Sequence, residues 1–344
     1  MKIFLAVLAA VVISGCSCNA TKLSHPEWQT QMNEAGVSFR GLCAVNSEAA
    51  WASGSGGTFA RTIDGGKTWQ SGKIAGAEKI DFRDVAAFDE KTAVVFGIAS
   101  PAKFYKTTDG GKNWKLVYEN DNNDVFFSAA SFCDNKNGIA LSDPVGGKFL
   151  ILQTLDGGEN WKQMENLPGA IKGEGIFAAS GSNIARPARD RIIFVTGCTA
   201  ARVFMSADNG AEWSFANAPL EGGNGTSGIF SIAMKNENQG IIIGGDYKKE
   251  SEIGTNAAIT TDGGRNWRLI EKNKPSGFRE CVVYRPGTNI ALTVGPNGSD
   301  VSYDGGGNWA RFSAEGFHAI AFSPDGRSCW AAGRGRIAKL VWRD

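Results

Sequence analysis

Histidine is nearly absent: two residues in a chain of 344. That scarcity leaves little material for a histidine-based metal site or a His-dependent nucleophile. The cysteines show no CxxC or His-Cys spacing, which argues against structural zinc and against a redox pair. No Gly-x-Gly-x-x-Gly stands between a strand and a helix, and no Walker loop occurs, so nucleotide cofactors find no recognisable cradle. Asp121-Asn-Asn-Asp124 lacks the spacing of a calcium-binding EF-hand loop and reads as a solvated loop. Excess charge is also missing, with 36 Lys plus Arg against 35 Asp plus Glu. A nucleic-acid-binding protein normally carries a basic excess, so that partner class is not expected. Long apolar runs are missing too, apart from Ile3 to Ile13. No cofactor and no metal are expected.

Glycine, at 45 residues, is what the chain has in abundance. Much of it sits in one recurring octapeptide, Ser/Thr-x-Asp-x-Gly-x-x-Trp. The type copy is Thr107-Thr-Asp-Gly-Gly-Lys-Asn-Trp114. Its aspartates are Asp64, Asp109, Asp156, Asp208, Asp262 and Asp304, spaced by 45, 47, 52, 54 and 42 residues. Repetition at this period indicates stacked supersecondary units. In residues 80–118, short β-branched or aromatic runs alternate with Gly, Asn and Asp clusters, which reads as a four-stranded antiparallel meander. Each part of the octapeptide has a structural task. The Asp can accept hydrogen bonds from its own turn, the second Gly can supply a positive φ, and the Trp can pack on the neighbouring sheet. These aspartates are therefore read as structural rather than catalytic.

The octapeptide resembles the Asp-box repeat of bacterial neuraminidases. The Asp-Gly-Gly-x-Asn/Thr-Trp variant, with Gly244-Gly-Asp-Tyr247 and Ser142-Asp-Pro144, resembles the photosystem II stability/assembly factor family and its bacterial lipoprotein relatives of unassigned role. Radial repetition of four-stranded units makes a β-propeller. The expected fold is all-β. Inner strands starting near Phe39, Phe82, Phe126, Asn183, Ile229, Phe278 and Phe317 predict seven blades. The last of these lacks an octapeptide and a fourth strand. Residues 26–32, which resemble 160–166, are expected to supply that strand and close the ring, removing an open edge.

The N-terminus reads as a targeting segment. Lys2, the short apolar run and Ile13-Ser-Gly-Cys16 resemble a lipobox. The expected layout is a lipoprotein signal peptide over 1–15, a lipidated tether over 16–25 with Cys16 as the acylated residue, and the propeller over 26–344. That places the protein in a bacterial cell envelope, lipid-anchored and facing the periplasm, with the outer membrane favoured because Ser17 is not an Asp retention signal. Contact with the membrane is expected through the anchor alone, and the protein is expected to be a monomer. Of the remaining cysteines, Cys43 and Cys329 fall in adjacent blades and could pair.

Ligands of propellers usually bind at the central funnel, where the loops entering each inner strand meet. Equivalent positions there hold Arg40, Arg83, Arg279 and His318, predicted to form a basic arc, with Asp84 and Glu280 as competing countercharges. Phe127, Phe177 and Phe230 are expected opposite. Neighbouring loops add Arg202, Asp246, Tyr247 and Glu174. Guanidinium groups pair bidentately with carboxylates and phosphates, so a protein or peptide partner, or an anionic small ligand, is expected at this mouth. The resemblance to assembly factors implies a binding scaffold. The alternative is a sialidase-like glycoside hydrolase using Arg40, Arg202 and Arg279 with Tyr247, Glu174 and Asp84, although Phe39-Arg-Gly-Leu42 departs from the Arg-Ile-Pro motif of such enzymes. An oxidoreductase is disfavoured for want of a cofactor site.

Overall fold

The computed structural model describes residues 25–343. Cys16, the signal segment and nearly all of the tether therefore lie outside the described residues. Within them every element is a strand and none is a helix. The strands form antiparallel meanders arranged as a β-propeller, and buried aliphatic and aromatic side chains fill the layers between adjacent sheets. In the second unit, Phe82–Ala87, Ala93–Gly97, Ala102–Thr107 and Lys115–Asn120 pair in chain order. Ala93–Gly97 is wholly buried, whereas the last strand has no buried residue, as expected of an outer edge.

The expected count of seven blades is not met. The strands assemble into six sheets. The N-terminal strand, His25–Ala44, is 20 residues long. Its first half pairs with the last strand, Cys329–Arg343, from His25 opposite Arg343 to Ser38 opposite Arg334. Its second half pairs with Ala50–Gly54, from Phe39 opposite Gly54 to Ala44 opposite Ala50. The units expected to be first and last are thus one six-stranded sheet. Gly36 (φ +87°) and Gly335 (φ +71°) allow both long strands to bend between the two parts, a conformation that costs glycine little. The sequence argument treated residues 26–32 and the strand from Phe39 as separate pieces, and nothing in their pattern shows that the chain stays extended between them.

The fourth unit is also irregular. Its inner strand is only Ile184–Ala185. The preceding residues leave the sheet, and Glu174–Gly175 and Gly197–Cys198 join the sheet of Ser227–Met234 instead. This depends on a close backbone crossing: a Cβ on Gly228 would lie 2.3 Å from the Gly197 Cα. Residues 176–183 then run across the central channel.

Each octapeptide builds the same turn. Thr107 Oγ1 donates to Asp109 Oδ1 (3.0 Å) and accepts from the Gly111 amide (3.0 Å). Asp109 Oδ1 accepts from the Asn113 amide (2.9 Å), and Oδ2 accepts from the Asn113 side chain (2.7 Å). These bonds hold the Asp109 carboxyl down at about 2. Both residues after the Asp are left-handed, not the second alone: Gly110 has φ +79° and Gly111 has φ +84°. In the fourth copy Asn209 takes the first of these places with φ +57°, which Asn tolerates better than most residues. Trp114 packs on Trp51 and Phe59 of the preceding sheet.

The pairing considered for Cys43 and Cys329 does not occur; both thiols are free. Cys43 packs at the layer of Trp51 and Phe82, whereas Cys329 lies in that of Trp28 and Phe317. Burial raises the Cys43 thiol to about 11.

Candidate functional site

The loops entering the inner strands do meet at one mouth of the channel, but the four residues of the predicted arc have separate duties there. Arg40 Nη1 donates to the Ala179 carbonyl (3.0 Å) and pairs with Glu280 (3.3 Å). Burial lowers the Arg40 pKa, Glu280 opposes this, and nearby Arg83 and Arg334 add to it. Arg83 Nε pairs with Asp81 (2.8 Å), while its Nη1 donates to the Ala178 carbonyl (2.9 Å). His318 Nδ1 lies 2.7 Å from Glu280, and its Nε2 is buried without a partner. Arg279 is fully buried. It pairs with Asp300 (2.6 Å) and donates to Asn297 and Ser276, so it faces the sheet rather than the funnel. The continuous basic arc is therefore not formed. Arg40 and Arg83 remain partly exposed at the mouth, and each is bound to a carbonyl of the segment that crosses it.

That segment closes the channel. Ala178, Ala179 and Ser180 are buried. Ser180 Oγ donates to the Glu280 carbonyl (2.9 Å), Ser182 Oγ donates to Ser231 Oγ (2.7 Å), and the Asn183 side chain donates to the Phe230 carbonyl (2.9 Å). Sequence reasoning missed this plug. Its signal was compositional: Ala178-Ala-Ser-Gly-Ser182 has none of the β-branched or aromatic residues of the other inner strands.

Two of the three phenylalanines expected opposite stand together. The Phe177 and Phe230 rings stack at 3.9 Å and 4°, and Tyr247 meets both edge-on at 6.2 and 6.4 Å. Phe127 lies elsewhere, buried between Phe104 and Tyr118. Asp246 is buried and accepts from the Lys248 amide (2.9 Å), turning the loop so that Tyr247 projects. Tyr247 is 42% exposed, Ile253 on the same loop 56%, and Ile171 on the neighbouring loop 49%. Exposed apolar side chains grouped at one mouth are the kind of patch that partners cover.

Arg202 is not free to bind a ligand. Its Nε donates to Glu174 (2.8 Å), a second bond runs from Nη2 to the same carboxylate, and its guanidinium lies against Phe204 and Phe215. Arg202 and Glu174 thereby satisfy each other. Among the described residues the Tyr247 hydroxyl makes no hydrogen bond to a carboxylate, the contact that a Tyr–Glu nucleophile pair needs. Asp84, the remaining acid of the glycosidase reading, lies beneath the plug and accepts from the Val85 and Ala130 amides at 2.8 and 2.7 Å. The set Arg40, Arg202 and Arg279 therefore does not converge. No group of three or more His, Cys, Asp or Glu suited to a metal occurs among the described residues.

A propeller whose central channel is crossed by its own chain, with exposed apolar loops round the mouth, can be set beside known proteins. No family model and no curated protein matches the sequence. Solved structures do match. A structure of YCF48 bound to D1 peptide superposes with TM-score 0.66 at 19% identity, covering 92% of this chain and 97% of that one. This chain has the fold of YCF48. YCF48 from Cyanidioschyzon merolae gives TM-score 0.66 at 17% identity, over 91% of this chain and 98% of that one. The GH74 xyloglucanase from Xanthomonas campestris gives 0.59 at 15% identity, over 91% of this chain but 53% of that one. The assembly-factor resemblance is thus met by the YCF48 structures at the level of fold, and identities this low carry no residue roles across.

Proposed function

We propose that the protein is a binding scaffold that recognises a segment of another protein at the loop-bearing mouth of the propeller. One observation carries this reading. The plug covers the centre of that mouth, and around it stand exposed apolar side chains (Tyr247, Ile253, Ile171) beside the partly exposed Arg83 and Arg40. An apolar surface with charged groups at its side suits an extended chain segment. The likeness in fold to a propeller bound to a peptide is in keeping with this. An anionic small ligand is less favoured, because Arg202 and Arg279 are consumed internally.

We further infer that Cys16 carries a lipid anchor and that the scaffold works in the cell envelope, on the strength of the lipobox-like Ile13-Ser-Gly-Cys16. Capture from detergent-solubilised envelope tests the binding reading. Tyr247→Ala combined with Ile253→Ser, both at exposed side chains, should lower partner recovery while leaving the melting temperature nearly unchanged. Undiminished recovery by that double variant would reject the mouth as the binding surface. Mass spectrometry of the mature N-terminus tests the anchor: a diacylated Cys16 is expected, and an unmodified terminus elsewhere contradicts it.

A further inference from the structure

Below the plug, the other half of the channel holds a cavity of about 430 Å³, within the size range of ligand pockets. Its walls come from the later parts of the inner strands, with apolar side chains such as Leu42, Val85 and Phe132, so it opens at the mouth opposite the loops. Asp84 lines it at the plug end. Gly181 of the plug sits against this carboxyl: a Cβ there would lie 2.4 Å from Asp84 Cγ, and Gly181 is left-handed at φ +69°.

Asp84 is 8% exposed and accepts only the Val85 and Ala130 amides. Among the described residues no Lys, Arg or His pairs with it, whereas Glu174, Glu280 and Asp300, buried as deeply, each have a cationic or His partner; Asp246, equally buried at the end of its strand, shares this lack of an ion-pair partner. A carboxylate taken out of water without a countercharge is costly, and each oxygen can accept more than one hydrogen bond. None of the residues that line the cavity is cationic, although Arg186 and Arg189 lie close to Asp134 at its open end. Cys43 and Cys281 also line the cavity, and burial keeps both thiols neutral. Asp134 stands at the open end and adds negative charge.

We propose that this cavity is a binding site for a small organic cation, a primary amine on an apolar body, with Asp84 receiving the ammonium group. The apolar part of the lining would cover the body, with Ser131, Ser180 and Ser182 completing the wall, and the carboxylate would gain the countercharge that the protein leaves out. When the cavity is empty, burial raises the Asp84 pKa to about 8, so the carboxyl can stay protonated until an amine displaces the proton to solvent. The site is separate from the loop-bearing mouth and does not depend on the function proposed there.

Isothermal titration of the full mature chain with hexylamine and phenethylamine, and with hexanol and phenethyl alcohol as neutral matches, tests this. The amines should bind at one site and the alcohols at least about tenfold more weakly, since a buried charge pair loses heavily when one partner is neutral. Asp84→Asn should abolish the preference for amines. Ser131→Phe, which leaves Asp84 in place and fills the cavity from its wall, should abolish binding of both classes; it also guards against Asp84→Asn failing to fold. Equal affinity for amine and alcohol, no amine binding, or amine binding unchanged by Ser131→Phe would each overturn the proposal.

Discussion

Single residues decide more here through hydrogen bonds they complete than through charge they display. Thr107 is buried, and its hydroxyl is the only side-chain acceptor of the Gly111 amide in that turn. Thr107→Val keeps the shape and leaves the part-buried Gly111 amide without its acceptor, which should cost about 1 kcal/mol or somewhat more, read as a lower denaturation midpoint with an unchanged slope. Arg279→Leu strands the buried Asp300 and should cost about 3–5 kcal/mol. The role of the octapeptide was legible because Ser/Thr, Asp, Gly and Trp each have a known use in a turn. The use of Arg279 was not, because Asp300 lies on the third strand of the unit, 21 residues on, and local pattern does not show that the two side chains meet. Titration offers a third check at this scale. Burial raises Asp84 to about 8 and Asp143 to about 6, above the unfolded value of roughly 4. Between these limits the folded state holds more protons than the unfolded state, so stability should fall as pH rises from about 4 to about 8. Asp84→Asn should flatten the part of that slope above pH 6 in chemical denaturation at several pH values. A slope that survives unchanged would mean that Asp84 is ionised in the fold.

At the scale of elements, the N-terminal strand is the piece whose loss matters most. It hydrogen-bonds to the last strand through residues 25–38 and continues into the first sheet. A chain beginning at Glu34 should expose the free edge of Cys329–Arg343 and the apolar Leu340, and should associate or melt well below the parent. A monomeric variant of parental stability would show that this pairing is dispensable. The strand's two pairing partners were each visible in the sequence, but its continuity was not. Pairing carried on past the left-handed Gly36 is a matter of tertiary contact, and local pattern does not encode it. The same holds for the fourth unit, where the chain leaves its sheet to cross the channel and the octapeptide spacing gives only a longer interval.

For the whole molecule, the propeller class followed from six copies of one octapeptide, whereas its six sheets follow from how the two ends of the chain pair. Arg40 and Arg83 bond the plug, His318 meets Glu280 beside it, and Tyr247 packs on Phe177 at its start. The mouth differs in character from the expected basic arc, because the plug accepts hydrogen bonds from Arg40 and Arg83 and covers the centre. What remains for a partner is the rim formed by Tyr247, Ile253 and Ile171. The most direct test of that claim is photo-crosslinking in intact cells, with a reactive residue placed at Tyr247, at Ile253 or, as a control, at Leu155 on an octapeptide turn of the opposite face. The account predicts a discrete protein adduct from Tyr247 and Ile253, lost on Arg83→Glu, and none from Leu155. Adducts of equal yield at all three positions, or none at Tyr247 and Ile253, would contradict it.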